Sequence, residues 1–183
     1  MSRGSVLPEG MALAGEIRGQ GDLVVAGTIE GPVAIDGHLT VEATGVVRGE
    51  VKARAIVLRG TLTGPAVAEE TIRLEPGARM VGDARAERVS VVEGVLEGEL
   101  ELDGSVAVGP DGTLVGPVRA RGVEVAGEVH GDVLASDGVA IRAGGRVQGD
   151  VRARRIAIDD GAALHGGIEM DFDLDDEDGE ERR

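Results

Sequence analysis

Residues 39–55 read LTVEATGVVRGEVKARA, and their alternation decides the fold. Leu39 and Val41 face one side of an extended segment and Thr40 the other, because successive side chains of a strand point oppositely. Glu42 to Gly45 turn a corner. Val47 then points inward, Gly49 allows a tight bend, and Val51 and Ala53 make a third inward pair. Three short strands and three bends close one coil. Residues 139–155, VAIRAGGRVQGDVRARR, repeat this almost position for position through Val139, Ile141, Val147, Gly149, Val151 and Ala153.

The same pattern starts at Leu23, Leu39, Ile56, Ile72, Val89, Val106, Val123, Val139 and Ile156, every 16 or 17 residues. Fixed-period self-similarity marks a repeat architecture, and this period is too short for a helical hairpin repeat. It suits one coil of a β-solenoid. The expected fold is therefore all-β, a three-sided parallel β-helix of about nine coils. At the inter-strand spacing of a sheet, eight steps between nine coils give a rod of roughly 38 Å.

Two further levels of order lie above the coil. Coils with a short first corner, from Leu23, Ile56, Val89 and Val123, alternate with longer-cornered ones from Leu39, Ile72, Val106 and Val139. Residues 23–89 also align without gaps on 90–156, an offset of 67 residues, so the chain reads as a duplicated four-coil block plus a closing coil. Glycines 31, 49, 64, 82, 98, 116, 131, 149 and 166 hold one phase of the repeat. They stand between strands rather than before a helix, which makes them bends and not a phosphate-binding loop.

Composition agrees. Of the 183 residues 42% are hydrophobic, yet there is one Phe and no Trp or Tyr, against 31 Gly. Stacked layers of branched aliphatics need no aromatic filler. The absence of cysteine excludes a disulfide framework and Cys-ligated metal, and fits a reducing compartment. No apolar run approaches the length of a membrane span.

Net charge is −15, and the segment from Glu169 carries nine acids and two arginines, a net of −7, leaving −8 on the rest. That balance excludes a phosphate-backbone footprint, so nucleic acid is not an expected partner. On the rod itself charges fall into rows. One residue past the last bend-following apolar position come Ala34, Lys52, Val67, Arg85, Glu101, Arg119, Leu134 and Arg152, where neighbours are often opposite in sign.

No constellation points to catalysis. His38, His130 and His165 are scattered, the last two lying two coils apart, about 10 Å, which is too far to share a metal. No serine occupies a triad-like setting, and paired acids such as Glu69-Glu70 belong to an acidic surface. The expectation is no enzyme, no cofactor and no metal site.

The termini bound the domain. Residues 1–10 are expected to be disordered, 11–170 to form the β-helix with a partial coil at its start, and 171–183 to be a disordered acidic tail.

The order G-D-L-x-V-x-G-x-I-x-G, then L-x-V-x-x-x-G-V-V-x-G-x-V-x-A, within residues 15–60 resembles the bactofilin domain of bacteria. The close of such a domain is similar to VSVVEGVLEG at 89–98 and to IAIDDGAALHGGIEM at 156–170. The resemblance covers residues 11–170. It implies a right-handed β-helix that polymerises end to end without nucleotide, as a cytoplasmic scaffold in cell shape, polarity or chromosome organisation. It also implies other bactofilins and cell-envelope or polarity proteins as partners, at the inner face of the cytoplasmic membrane. The chain departs from the family in length, through its duplication, and in showing no apolar membrane anchor beyond Val6-Leu7.

A solenoid end exposes unpaired N–H and C=O groups and a section of core, a template for another chain. The candidate self-assembly residues are Leu13 and Ile17 at one end, and Leu164, Ile168, Met170 and Phe172 at the other. The alternative reading is a monomeric binding scaffold that recruits partners through a charged face.

Overall fold

The computed structural model describes residues 4–170, apart from the side chain of Val89, and all of its regular structure is β. Every strand pairing is parallel. One sheet has ten strands, from Ala12–Ala14 to Ala163–His165, and these count the turns directly: ten coils, stacked in sequence order. A second, fifteen-stranded sheet covers the other two sides. Strands such as Val51–Leu58, Ala66–Leu74 and Val133–Ile141 run from one side through the corner into the next coil, which joins those two sides into one sheet. Nine steps at the spacing of paired strands make a rod of about 43 Å.

The core is a set of columns. The ladder places Leu23, Leu39, Ile56 and Ile72 in one column, and Val25, Val41, Leu58 and Leu74 in the next. Ile29, Val47, Leu62 and Met80 stack on the ten-stranded side. The third side contributes Val33, Val51, Ala66 and Ala84, all essentially inaccessible to solvent. Branched aliphatics suit these columns because their stiff side chains pack on a pleated surface with little further loss of freedom.

The bend glycines form a column of their own. Gly15 and nine successors down to Gly166 have φ between +132° and +152°, a region in which a side chain is strained. Stacking adds a second demand. A Cβ at Gly98 would lie 2.3 Å from the carbonyl oxygen of Gly82 in the coil before it.

Three features differ from the sequence reading. The first coil is complete: Ser5–Leu7 pairs with Leu23–Val25, and Leu7 is buried, so these residues are not part of a disordered N-terminus. The pattern is hidden there because a serine takes the first inward position and Pro8 opens the corner. This coil raises the count from nine to ten.

The second difference is one of register. The V-x-V reading turns Val89 inward, but the ladder aligns Ile72 with Ser90 and Ser90 with Val106. Ser90 and Val92 are the inward pair. Third, the alternation of corners holds through the eight coils named for it and does not extend to the closing coil. The long corner, closed where Gly145 N–H donates to Arg142 C=O, recurs in the last coil with Ala162 donating to Asp159.

The stack is continuous through residues 89–98. Leu96 pairs with Met80 before it and Leu114 after it, and Leu100 pairs with Ala84 and Val118. The expected tail at 171–183 lies outside the described residues.

Candidate assembly ends

In an interior coil each strand has a neighbour above and below. Among the described residues, the strands of the first and last coils have only one. Ser5–Leu7, Ala12–Ala14 and Ile17–Gly19 pair solely with the second coil. Arg155 to Ile158, Ala163–His165 and Ile168–Met170 pair solely with the ninth. Each end therefore shows three open backbone edges around a cross-section of core.

The columns show what that exposure means. Val147 and Val151 of the ninth coil are sealed, whereas Leu164 above the first is half-buried and Ile168 above the second is 50% exposed. Ile141 is fully buried, and Ile158, the next residue of its column, is 46% exposed. Met170 ends a column that holds alanine at 53, 68, 86, 120, 135 and 153 and a buried Leu102 between 86 and 120, and it is 46% exposed. Leu102 is covered by a coil on either side, whereas Met170 has a described coil on one side alone. At the opposite end Leu13 and Met11 are exposed and Ile17 is half-buried. Covering the exposed half of an Ile or Met releases about 1 kcal/mol of apolar hydration.

Of the sequence-derived candidates, Leu13 and Ile17 lie in the first coil, and Leu164, Ile168 and Met170 in the last. Phe172 lies outside the described residues. Ile158 was not among the candidates. It follows from the same columns once the last inward position of the final coil is counted, since it is two residues beyond Ile156. Val6 and Met11 were missed with the first coil itself.

The sides of the rod carry ion pairs between coils rather than a pocket chemistry. Arg85 meets Glu101 at 2.8 Å, Arg142 meets Glu124 at 3.0 Å, and Arg48 meets Glu30 at 3.3 Å. These pairs link successive coils, and Arg85 with Glu101 lies in the row that the sequence places on the surface. Asp22 accepts hydrogen bonds from the His38 backbone N–H at 2.9 Å and pairs with its Nδ1 at 3.2 Å, which holds the Asp22 carboxyl below its ordinary range. The Arg155 guanidinium does the same for Asp137, first by hydrogen bonding and then by charge. His130 Nδ1 lies 3.2 Å from Gln148 Oε1, with His165 one coil further along the same row. Among the described residues no three His, Cys, Asp or Glu side chains gather as a metal site.

Stacked parallel coils with an apolar section at either end define a β-solenoid. The model of the bactofilin family, described as polymer-forming cytoskeletal, matches residues 5–96 and 87–169. The chain belongs to the bactofilin family. It is a cytoskeletal, polymer-forming protein and not an enzyme.

Its relatives include bactofilin BacO of Myxococcus xanthus (strain DK1622), 32% identical over 100 residues, which is 54% of this chain and 79% of BacO. BacP of the same organism is 36% identical over 90 residues, 49% of this chain and 38% of BacP. BacN is 37% identical over 51 residues, 28% of this chain and 45% of BacN. No solved structure matches the chain.

The two family matches overlap at residues 87–96, in the coil that holds Ser90. SVLPEG at 5–10 and SVVEG at 90–94 share a serine, an outward valine and an E-G corner. The two coils differ in their first corner, long at Pro8 to Met11 and short after Ser90, and the first is exposed where the second is enclosed. No helix among the described residues is long and apolar enough to cross a membrane.

Proposed function

We propose that the chain polymerises end to end, without nucleotide, into a filament that serves as a cytoplasmic scaffold for cell shape or polarity. The observation that carries this reading is the pair of ends that are open among the described residues: Ile158, Ile168 and Met170 at one, Met11 and Leu13 at the other, each beside strand edges that no described strand pairs. A further coil docking there extends three ladders and covers these side chains together. Backbone pairing and apolar burial supply the contact, and neither needs a bound nucleotide. Partners beyond the chain itself are other bactofilins and cell-envelope or polarity proteins, with the inner face of the cytoplasmic membrane as a peripheral location.

Negative-stain imaging of the purified protein at several salt concentrations tests this. Filaments are expected at micromolar protein without added nucleotide. Ile168→Arg sets a charge in the end contact and abolishes them while its melting curve stays close to the parent's. Single short rods from the parent protein would sink the reading and favour a monomeric scaffold. So would filaments unaffected by Ile168→Arg together with Ile158→Glu.

A further inference from the structure

Two sides of the rod differ sharply in what they turn to solvent. Its outward central row is fixed by the register of the strands that carry Leu23 and Val25 inward, and runs from Val6 to Ala157. Of the ten residues in that row, only Arg73 and Glu124 are charged. The corresponding row from Arg18 to Glu169 holds seven charged residues. A solvated sheet face has no need to be so poor in charge, and contiguous apolar surface of this kind marks contact sites.

The face also has two unlike halves. In the N-terminal half the row is raised by Val24, Thr40 and Val57. In the C-terminal half it is Ala107, Ala140 and Ala157, with Gly122 and Gly138 beside them, and these line an open trough of about 540 Å³. A ridge and a trough on one face of one molecule are complementary to the same face of a second copy, turned end for end.

The two charges select the arrangement. A two-fold axis lying in the face, across the stack and midway between the sixth and seventh coils, exchanges the fifth coil with the eighth and the fourth with the ninth. Arg73 of each copy then faces Glu124 of the other, and Val57 of each faces Ala140 of the other. Parallel, in-register pairing would instead put Arg73 on Arg73 and Glu124 on Glu124, where like charges oppose contact. Within the chain these charges already have partners, Arg73 with Glu75 at 3.2 Å, Glu124 with Arg142 at 3.0 Å and Arg59 with Glu42 at 3.3 Å, and the antiparallel contact adds a second opposite charge to Arg73 and to Glu124.

We propose that this face binds a second copy of the chain antiparallel, Arg73 against Glu124 and Val57 against Ala140, so that filaments pair side by side. The eight coils that overlap cover about 400 Å² on each copy at the spacing of paired strands. That is about 800 Å² in total, below the roughly 1,200 Å² at which stable specific contacts begin and in the range of weak, transient ones. A lone pair of rods therefore dissociates readily. Repetition along a filament makes the contact persist, and to that extent the proposal rests on the end-to-end assembly above.

Cysteine cross-linking tests the face and its direction together, because the chain has no cysteine of its own. Residues 57 and 140 lie five coils apart, about 24 Å, beyond the reach of a disulfide within one molecule. Under mild oxidation the Val57→Cys/Ala140→Cys protein is expected to run as a covalent dimer on a non-reducing gel, and each single variant as a monomer. Arg73→Glu should cut the dimer yield at least fivefold, and Arg73→Glu/Glu124→Arg should restore it.

Equal cross-linking of the single and double variants would overturn the antiparallel register. A yield indifferent to Arg73→Glu would overturn the role of the charges. Repeating the experiment in the Ile168→Arg background at high protein concentration separates the two proposals. Loss of filaments with retained cross-linking leaves the face intact. Paired residues that never cross-link in wild-type filaments remove it.

Discussion

Ser90 sits directly opposite Ile72 in the ladder, in a core column that continues through Val106, and its Oγ is buried without a hydrogen-bond partner. Its counterpart in the first coil, Ser5, is exposed. A hydroxyl acceptable at an open end has become costly where a fifth coil stacks upon it. Leaving a buried hydroxyl unpaired costs about 1–3 kcal/mol.

Ser90→Val should therefore stabilise the rod, by about 1–2 kcal/mol if the branched side chain fits between Ile72 and Val106 as its neighbours do. Ser5→Val, in the same column but at the end, should change stability by less than about 0.5 kcal/mol. Chemical unfolding of the two variants compares them. An unstable Ser90→Val protein would mean that the column narrows at this coil.

The glycine column gives a similar contrast between interior and end. Gly98→Ala meets both the strain of φ +148° and a carbonyl oxygen 2.3 Å from the new Cβ. Gly15 has φ +133° but nothing within 4 Å. Gly15→Ala should cost about 1–2 kcal/mol, the penalty of the backbone conformation alone. Gly98→Ala should cost more, because the stacked coils must also separate. Equal midpoints in a denaturant titration would show that the close approach relaxes freely.

Ile158 and Ile141 test the distinction between end and core within one column. Ile158→Glu adds a charge to a side chain already 46% exposed and should leave the melting temperature nearly unchanged while suppressing assembly. Ile141→Glu buries the charge without a partner and should prevent folding altogether. Circular dichroism with sedimentation separates the outcomes. An Ile158→Glu protein that still sediments as a polymer would take the C-terminal end out of the contact.

The coil period, the corners and most columns were legible in the sequence because a strand alternates with period two and each bend needs its glycine. The register at 89–92 was not. VSVV accommodates an inward Val89 as readily as an inward Ser90, and hydrophobicity favours the wrong choice. The gapless alignment of 23 on 90 already held the answer, since it sets Leu23 against Ser90. The first coil was obscured by Ser5 and Pro8, which pattern reading treats as loop, although the strand is secured by pairing with Leu23–Val25. Ile158 escaped because its phase is that of a core residue, and only its place in the last coil exposes it. The unlike halves of the charge-poor face were also out of reach. Alternation tells which residues point outward, but only the ladder tells which of them stand side by side.

Acid should loosen the rod through its surface carboxylates. The backbone N–H of His38 and its ring hold the Asp22 carboxyl below the ordinary range, and Arg155 does so for Asp137. A carboxylate whose folded-state pKa is lowered binds its proton more readily in the unfolded chain. Its contribution is therefore complete above the ordinary aspartate value, about 3.9, and is lost as the pH falls through the lower folded value. Melting temperature should be flat from pH 7 to about 5 and fall below about 4. Both pairs join successive coils, His38 to Asp22 and Arg155 to Asp137, so protonation releases links along the stack. Asp22→Asn and Asp137→Asn together should lower the melting temperature at pH 7 and make the curve shallower below pH 4. A double variant whose acid fall matches the parent's would assign the loss to other carboxylates.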